Sequence, residues 1–190
     1  MNFLRMTAVA GLFAASVQAE PQAKQRITVY MQDGAIVPGQ TLARAEGVAG
    51  EMFAQAGVRI NWRAGRPNGD AITVGMSDAS PTSFHPGALA FALPYEGVHI
   101  TVFYDRIRKE FAPDLTATLL AHVLVHEITH ILQGIERHSE TGIMKAHWSS
   151  ADYVQMRAKP LPFTDWDVEL IQAGLASRDV RLSVRAEQIR

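Results

Sequence analysis

Cysteine is absent from the 190 residues. No disulfide can staple the fold, so stability has to come from a packed core, helped by a bound metal if one is present. An excess of charge of either sign is also missing: 18 Lys and Arg stand against 19 Asp and Glu, a formal net charge of -1. Without a basic field the chain has no means of recruiting nucleic acid or anionic lipid, and neither partner is expected. There is no internal repeat and no low-complexity stretch. Beyond the N-terminal segment no apolar run looks long enough to cross a bilayer, so no stable membrane anchor is expected. What is present is the composition of a globular protein, 47% hydrophobic and 19% charged, with length enough for one domain and a sizeable core.

Residues 1–19 have the three parts of an export signal. Arg5 supplies the positive start, residues 6–17 the apolar centre, and Val17-Gln18-Ala19 the small residues of a cleavage site. Cleavage after Ala19 removes Arg5 and takes the formal charge from -1 to -2. The competing reading is a retained signal anchor. An exported chain without disulfides is commoner in the bacterial periplasm or medium than among small eukaryotic proteins. The expected mature protein is a monomeric single domain over residues 20–190.

Residues 27–31 (ITVYM) read as a strand closed by Asp33-Gly34 and Pro38-Gly39. Thr41 is the expected cap of a helix reaching about residue 56, with Leu42, Ala45, Val48, Ala49, Met52 and Phe53 on its apolar face. Strands follow at 58–62, 72–76, 88–93 and 99–104, with a loop at 77–87. Residues 115–125 are apolar and free of Pro and Gly, which predicts a buried helix of about five turns, begun by Asp114 and ended by Gly134. Near the C-terminus Thr164 or Asp165 should cap a helix over 166–176, and residues 178–190 are expected to fray. Alternation of strand and helix alone gives a mixed α/β or α+β class.

One segment states a chemistry. His126-Glu127-Ile128-Thr129-His130 is an H-E-x-x-H motif near the end of the buried helix. Four residues make about 400° of helix, which leaves both imidazoles on one face about 6 Å apart along the axis, able to close on one metal ion. Glu127, about 100° round, is badly placed to be a ligand and well placed to act as a general base over the metal's open side. By chance the motif arises in roughly one such chain in a hundred. A bland reading, a hydrogen-bonded core cluster, competes with it. The burial decides between them, because unpaired histidines and a carboxylate on so apolar a helix are costly without a metal.

Beyond the helix come Gly134, His138 and Met144. This segment resembles the metzincin clan of zinc endopeptidases, with two helix histidines, a helix-ending glycine, a third ligand histidine and a methionine turn beneath the metal. The resemblance implies His126, His130 and His138 as Zn2+ ligands, Glu127 as base and Met144 as the turn methionine. It departs from the clan's H-E-x-x-H-x-x-G-x-x-H spacing: Gln133 and Glu136 occupy the expected glycine and third-ligand positions, and Gly134 and His138 come one and two places later. The turn after the helix must be longer, and Glu136 rivals His138 as third ligand; His138 is favoured because imidazole suits zinc. The short step from His138 to Met144, followed by Lys145-Ala146-His147-Trp148, resembles a compact secreted bacterial branch of the clan. The implied fold is α+β and zincin-like: a twisted, mostly parallel sheet with an antiparallel edge strand, an active-site helix, and a small C-terminal helical subdomain (residues 135–190) after an N-terminal one (20–134). Residues 88–93 are then the edge strand that could pair with an extended peptide substrate; an ordinary protected edge strand is the alternative.

The expected activity is metal-assisted peptide-bond hydrolysis by a secreted metalloprotease. The missing cysteine excludes a thiol-dependent latency device, and the few residues between Glu20 and the first strand leave no sizeable inhibitory pro-segment in view. Two other classes compete. A non-catalytic secreted module with structural zinc needs a fourth ligand from His122, Glu136 or His147 and leaves Glu127 without a reason. A hydrolase of cell-wall peptide or a small amide could use the same site. His122 is about 12 Å along the axis from His130 and reads as core or outer support rather than ligand. His147 is a candidate for steadying an oxyanion, while His85 and His99 read as structural or solvated.

Overall fold

The computed structural model describes residues 25–32, 36–67, 71–85, 87–92, 98–110 and 112–188. The export-signal expectation on residues 1–19 falls outside them. Strand β1 (Gln25–Met31) alternates in burial, with Ile27, Val29 and Met31 inward. Helix α1 (Gly39–Gln55) follows, burying Ala45, Ala49, Met52 and Phe53. Strands β2 (Val58–Ala64) and β3 (Ile72–Ser77) flank β1, both parallel to it. β4 (Ala90–Ala92) and β5 (His99–Phe103) complete a five-stranded sheet of order β2-β1-β3-β5-β4. β3 and β5 are parallel and β4 alone is antiparallel, paired to β5 through Phe91 opposite Thr101. The first half of β3, Ile72, Thr73 and Val74, is buried outright, as befits a central strand covered on both faces.

Helix α2 (Tyr104–Glu110) leads to α3 (Pro113–Gln133), the central element of the core. α3 packs against α1 on one side and against α5 (Asp165–Gln188) on another, and it touches β4 and β5. Leu119, Leu120, Leu124, Val125 and Ile128 have no exposed surface. The helix ends as its sequence predicts, with Gly134 left-handed (φ 69°) and its N–H on the His130 carbonyl at 2.9 Å. A short helix α4 (Ser150–Ala158) intervenes before α5 and starts with a Ser149/Asp152 capping box.

Several expectations need correction. α3 begins at Pro113 behind Ala112, not at an Asp114 cap: proline at the first position sets φ for the helix and has no N–H to satisfy. α1 likewise starts two residues before Thr41, behind Pro38. Tyr104 opens α2 rather than ending β5, and neither α2 nor α4 was anticipated. α5 continues to Gln188 instead of fraying at 178. Residues 115–133 are, by length and composition, apolar enough to cross a membrane, contrary to the reading that no such run exists; in this fold they are mostly buried as the core helix. Thr164, by contrast, caps α5 as expected, its Oγ1 accepting the Asp167 N–H at 3.1 Å.

Candidate metal centre

The motif helix places His126 and His130 on one face, with ring centroids 4.8 Å apart. Each is fixed by a backbone carbonyl from beyond the helix. His126 Nδ1 donates to Ile143 O at 3.0 Å, and His130 Nδ1 donates to Ile135 O at 3.1 Å. A carbonyl can only accept, so both rings carry their proton on Nδ1 and turn an unprotonated Nε2 towards the same point. Those two Nε2 atoms are 3.1 Å apart. With no proton available between them, two lone pairs facing at that separation call for a cation.

His138 arrives from the loop after Gly134, its ring 5.3 Å from that of His126 and 5.0 Å from that of His130. One donor atom from each of the three lies within 4.8 Å of the others, and among the described residues this is the group of side chains able to share a metal. Bonds of about 2.0–2.1 Å to a tetrahedral ion would set the nitrogens about 3.4 Å apart. The helix pair is close to that spacing, and the donor atom of His138 lies within 4.8 Å of theirs. Three neutral imidazoles are a donor set that suits a divalent transition metal. Glu136, the rival third ligand, is exposed and lines the same cleft but is not part of the close group.

Burial sets the electrostatics. His126 is held down to about 3, first by burial and then by the neighbouring His130 charge, against a smaller opposing pull from its bond to Ile143. His130 is held down to about 4, again chiefly by burial. His138 is lowered too, by burial and then by His147. All three are thereby kept neutral, the form that binds metal. Glu127, 9% exposed, is pushed up to about 8 by burial in the metal-free protein. A dication beside it would favour its ionised form.

These groups line a cleft of about 480 Å3 together with His147, Trp148 and Tyr153. β4 contributes Ala90, Phe91 and Ala92 to the opposite wall. Met144 is fully buried, and its carbonyl accepts the Ser139 N–H at 2.7 Å, which closes the loop that carries His138. Trp148 Nε1 donates to Ile143 O at 3.2 Å, beside the His126 bond to the same oxygen. His122 is excluded as a ligand: Nδ1 donates to Thr118 O at 2.7 Å, and Nε2 accepts the Leu161 N–H at 3.1 Å. His99 pairs with Thr73, and His85 accepts the Gly87 N–H, with its ring 6.1 Å from that of His147. Sequence reading missed Arg137, Ser139 and Asp167, which form a hydrogen-bonded network beside the third histidine, with Ser139 and Asp167 buried and Arg137 partly exposed. The nearest signal in the sequence is the helix cap expected at Thr164 or Asp165.

A mostly parallel mixed α/β sheet, with a long buried helix carrying two histidines towards a third, defines the fold and the site. A search of solved structures finds a similar fold in the crystal structure of archaemetzincin from Methanopyrus kandleri, with a TM-score of 0.56 and 16% identity over 83% of this chain and 98% of that one. At that identity the likeness establishes the fold. No protein-family model and no curated protein sequence matches the chain.

Proposed function

We propose that this protein is an exported zinc-dependent endopeptidase. The observation that carries the reading is the pair of Nε2 atoms 3.1 Å apart, both stripped of protons by carbonyl partners, with His138 beside them and Glu127 in the same cleft. His126, His130 and His138 would hold the ion, with zinc favoured by an all-imidazole set. Such an ion would supply Lewis-acid polarisation of a water molecule and of the scissile carbonyl.

The chain's own groups do the rest. Glu127 takes the proton as the water oxygen bonds to the carbonyl carbon, and returns it to the nitrogen as the C–N bond breaks. His147, exposed and lining the same cleft, would donate a hydrogen bond to the carbonyl oxygen as it gains charge. Met144 supports the floor by packing, since thioether is a poor zinc partner beside imidazole. β4 ends the sheet and lines the cleft, so an extended peptide can add to it as a further strand whatever its side chains. Export rests on the signal-like residues 1–19, and a protein or peptide substrate on the strand edge.

The test is zinc stoichiometry by elemental analysis with cleavage of an unfolded protein substrate, in parallel on Glu127→Ala, His138→Ala and Glu136→Ala. One zinc per chain, lost with His138 and kept without Glu127, together with cleavage that needs Glu127, is the expected pattern. Zinc bound without cleavage of any protein substrate moves the reading to a hydrolase of small amides or cell-wall peptide. No zinc at all refutes it.

A further inference from the structure

We infer that Asp167, on the first turn of α5, is a positioning residue for the third ligand of this site, acting through the two chain neighbours of His138. The inference rests on the reading of His138 as a zinc ligand. Asp167 has no exposed surface, an expensive place for a carboxylate unless every lone pair is used. Its two oxygens divide the work. Oδ2 accepts the Thr164 N–H at 2.9 Å and the Thr164 hydroxyl at 2.7 Å, which is the helix cap. Oδ1 faces the other way and accepts the Ser139 hydroxyl at 2.6 Å and Arg137 Nη1 at 3.2 Å. Residues 137 and 139 flank His138, so a single oxygen holds both ends of the peptide unit that bears the ligand. The Asp167 carbonyl also accepts from Gln133 Nε2 at 3.2 Å, tying the last residue of α3 to the same point.

Capping alone does not explain the arrangement. α4 is capped by the same kind of box, Ser149 with Asp152, without an arginine and without a partner from a distant loop other than Lys145. The extra reach of Asp167 matches a local need. The segment between His130 and His138 is longer than the compact spacing of such sites, and His138 is itself exposed, so its ring position depends on how its backbone is held. The carboxylate supplies that restraint from an element that takes no part in metal binding.

The two oxygens can be tested separately. Ser139→Ala, made together with Arg137→Ala so that both ties of Oδ1 to the His138 loop are lost, leaves the helix cap; Thr164→Ala cuts the cap and leaves the loop ties. The dissociation constant for zinc is measured on the purified full chain by competition with a chromogenic chelator, and thermal unfolding of the metal-free protein is followed alongside. The double variant is expected to weaken zinc binding about tenfold or more, as loss of an outer support does, and also to lower the metal-free unfolding temperature, because a buried Asp167 oxygen loses its donors. Thr164→Ala is expected to lower the unfolding temperature and leave zinc affinity unchanged. Wild-type zinc affinity in the double variant, or equal effects of both variants on both readouts, overturns the positioning role. His138→Ala separates this from the underlying reading: if it binds zinc as tightly as wild type, His138 is not a ligand and the inference falls with it.

Discussion

Replacing Gly142 with Ala tests the turn that leads to Met144. Gly142 has φ 76°, and a Cβ built there would lie 2.3 Å from the Pro162 carbonyl oxygen. The left-handed conformation costs a side-chain-bearing residue about 1–2 kcal/mol. Relieving the overlap also needs a shift of about 1 Å, which breaks the 2.9 Å bond from the Ile143 N–H to that same oxygen and costs about 0.5–1.5 kcal/mol more. The sum, about 1.5–3.5 kcal/mol, corresponds to a fall in Tm of about 3–14 °C for a domain of this size. The damage reaches the site because the Ile143 carbonyl orients His126, so zinc affinity should drop about tenfold as well. The assay is thermal unfolding with and without zinc, with Gly47→Ala as control: that helical glycine has nothing within 4 Å of an added Cβ and should gain about 0.5–1 kcal/mol. If Gly142→Ala unfolds with Gly47→Ala rather than below the wild type, the steric argument is wrong.

In chelator-treated protein, stability should peak near pH 6.5–7. His122, His126, His130 and His138 all have lowered folded-state pKa values, so the unfolded chain binds more protons and stability falls as pH drops below their unfolded value of about 6.5. Glu127 is raised to about 8, so its contribution is lost as pH climbs from about 4.5 to that value; a Tm that rises steadily from pH 6 to 8 would contradict this assignment. Gly174→Ala should destabilise by about 1–3 kcal/mol, because its Cβ would lie 1.8 Å from the Leu132 carbonyl oxygen and push α5 off the end of α3; unchanged chemical denaturation would show that the helices tolerate the shift. His147→Ala should lower kcat at least tenfold while leaving zinc content and KM near wild type, and a change confined to KM would reassign it to substrate binding.

The motif helix and its end were legible because they rest on local rules: a run without Gly or Pro, two histidines at helical spacing, and a glycine able to turn left-handed at residue 134. The strand read at residues 27–31 was legible for the same reason and falls within β1. Helix starts were misread at Thr41 and Asp114, where a proline already fixed the backbone one turn or less upstream. α2 and α4 escaped notice because seven and nine residues rich in charge and polar groups show too little apolar period. The supports of the site were the least legible. Ile135, Ile143 and Pro162 act through carbonyl oxygens, which every residue has, and Asp167 meets Ser139 across 28 positions of sequence that no local pattern connects.

α3 has one more consequence, which concerns the chain before it folds. On the export route proposed above, residues 115–133 pass through the translocation machinery as an unfolded segment apolar enough to be mistaken for a membrane span. From residue 122 onward His122, His126, Glu127, Thr129, His130 and Gln133 interrupt it with polar chemistry, and ionisable groups near the centre of such a segment disfavour lateral release into lipid. The side chains gathered for the metal would thus also act as a passport, keeping the segment moving until it can bury its leucines against the sheet.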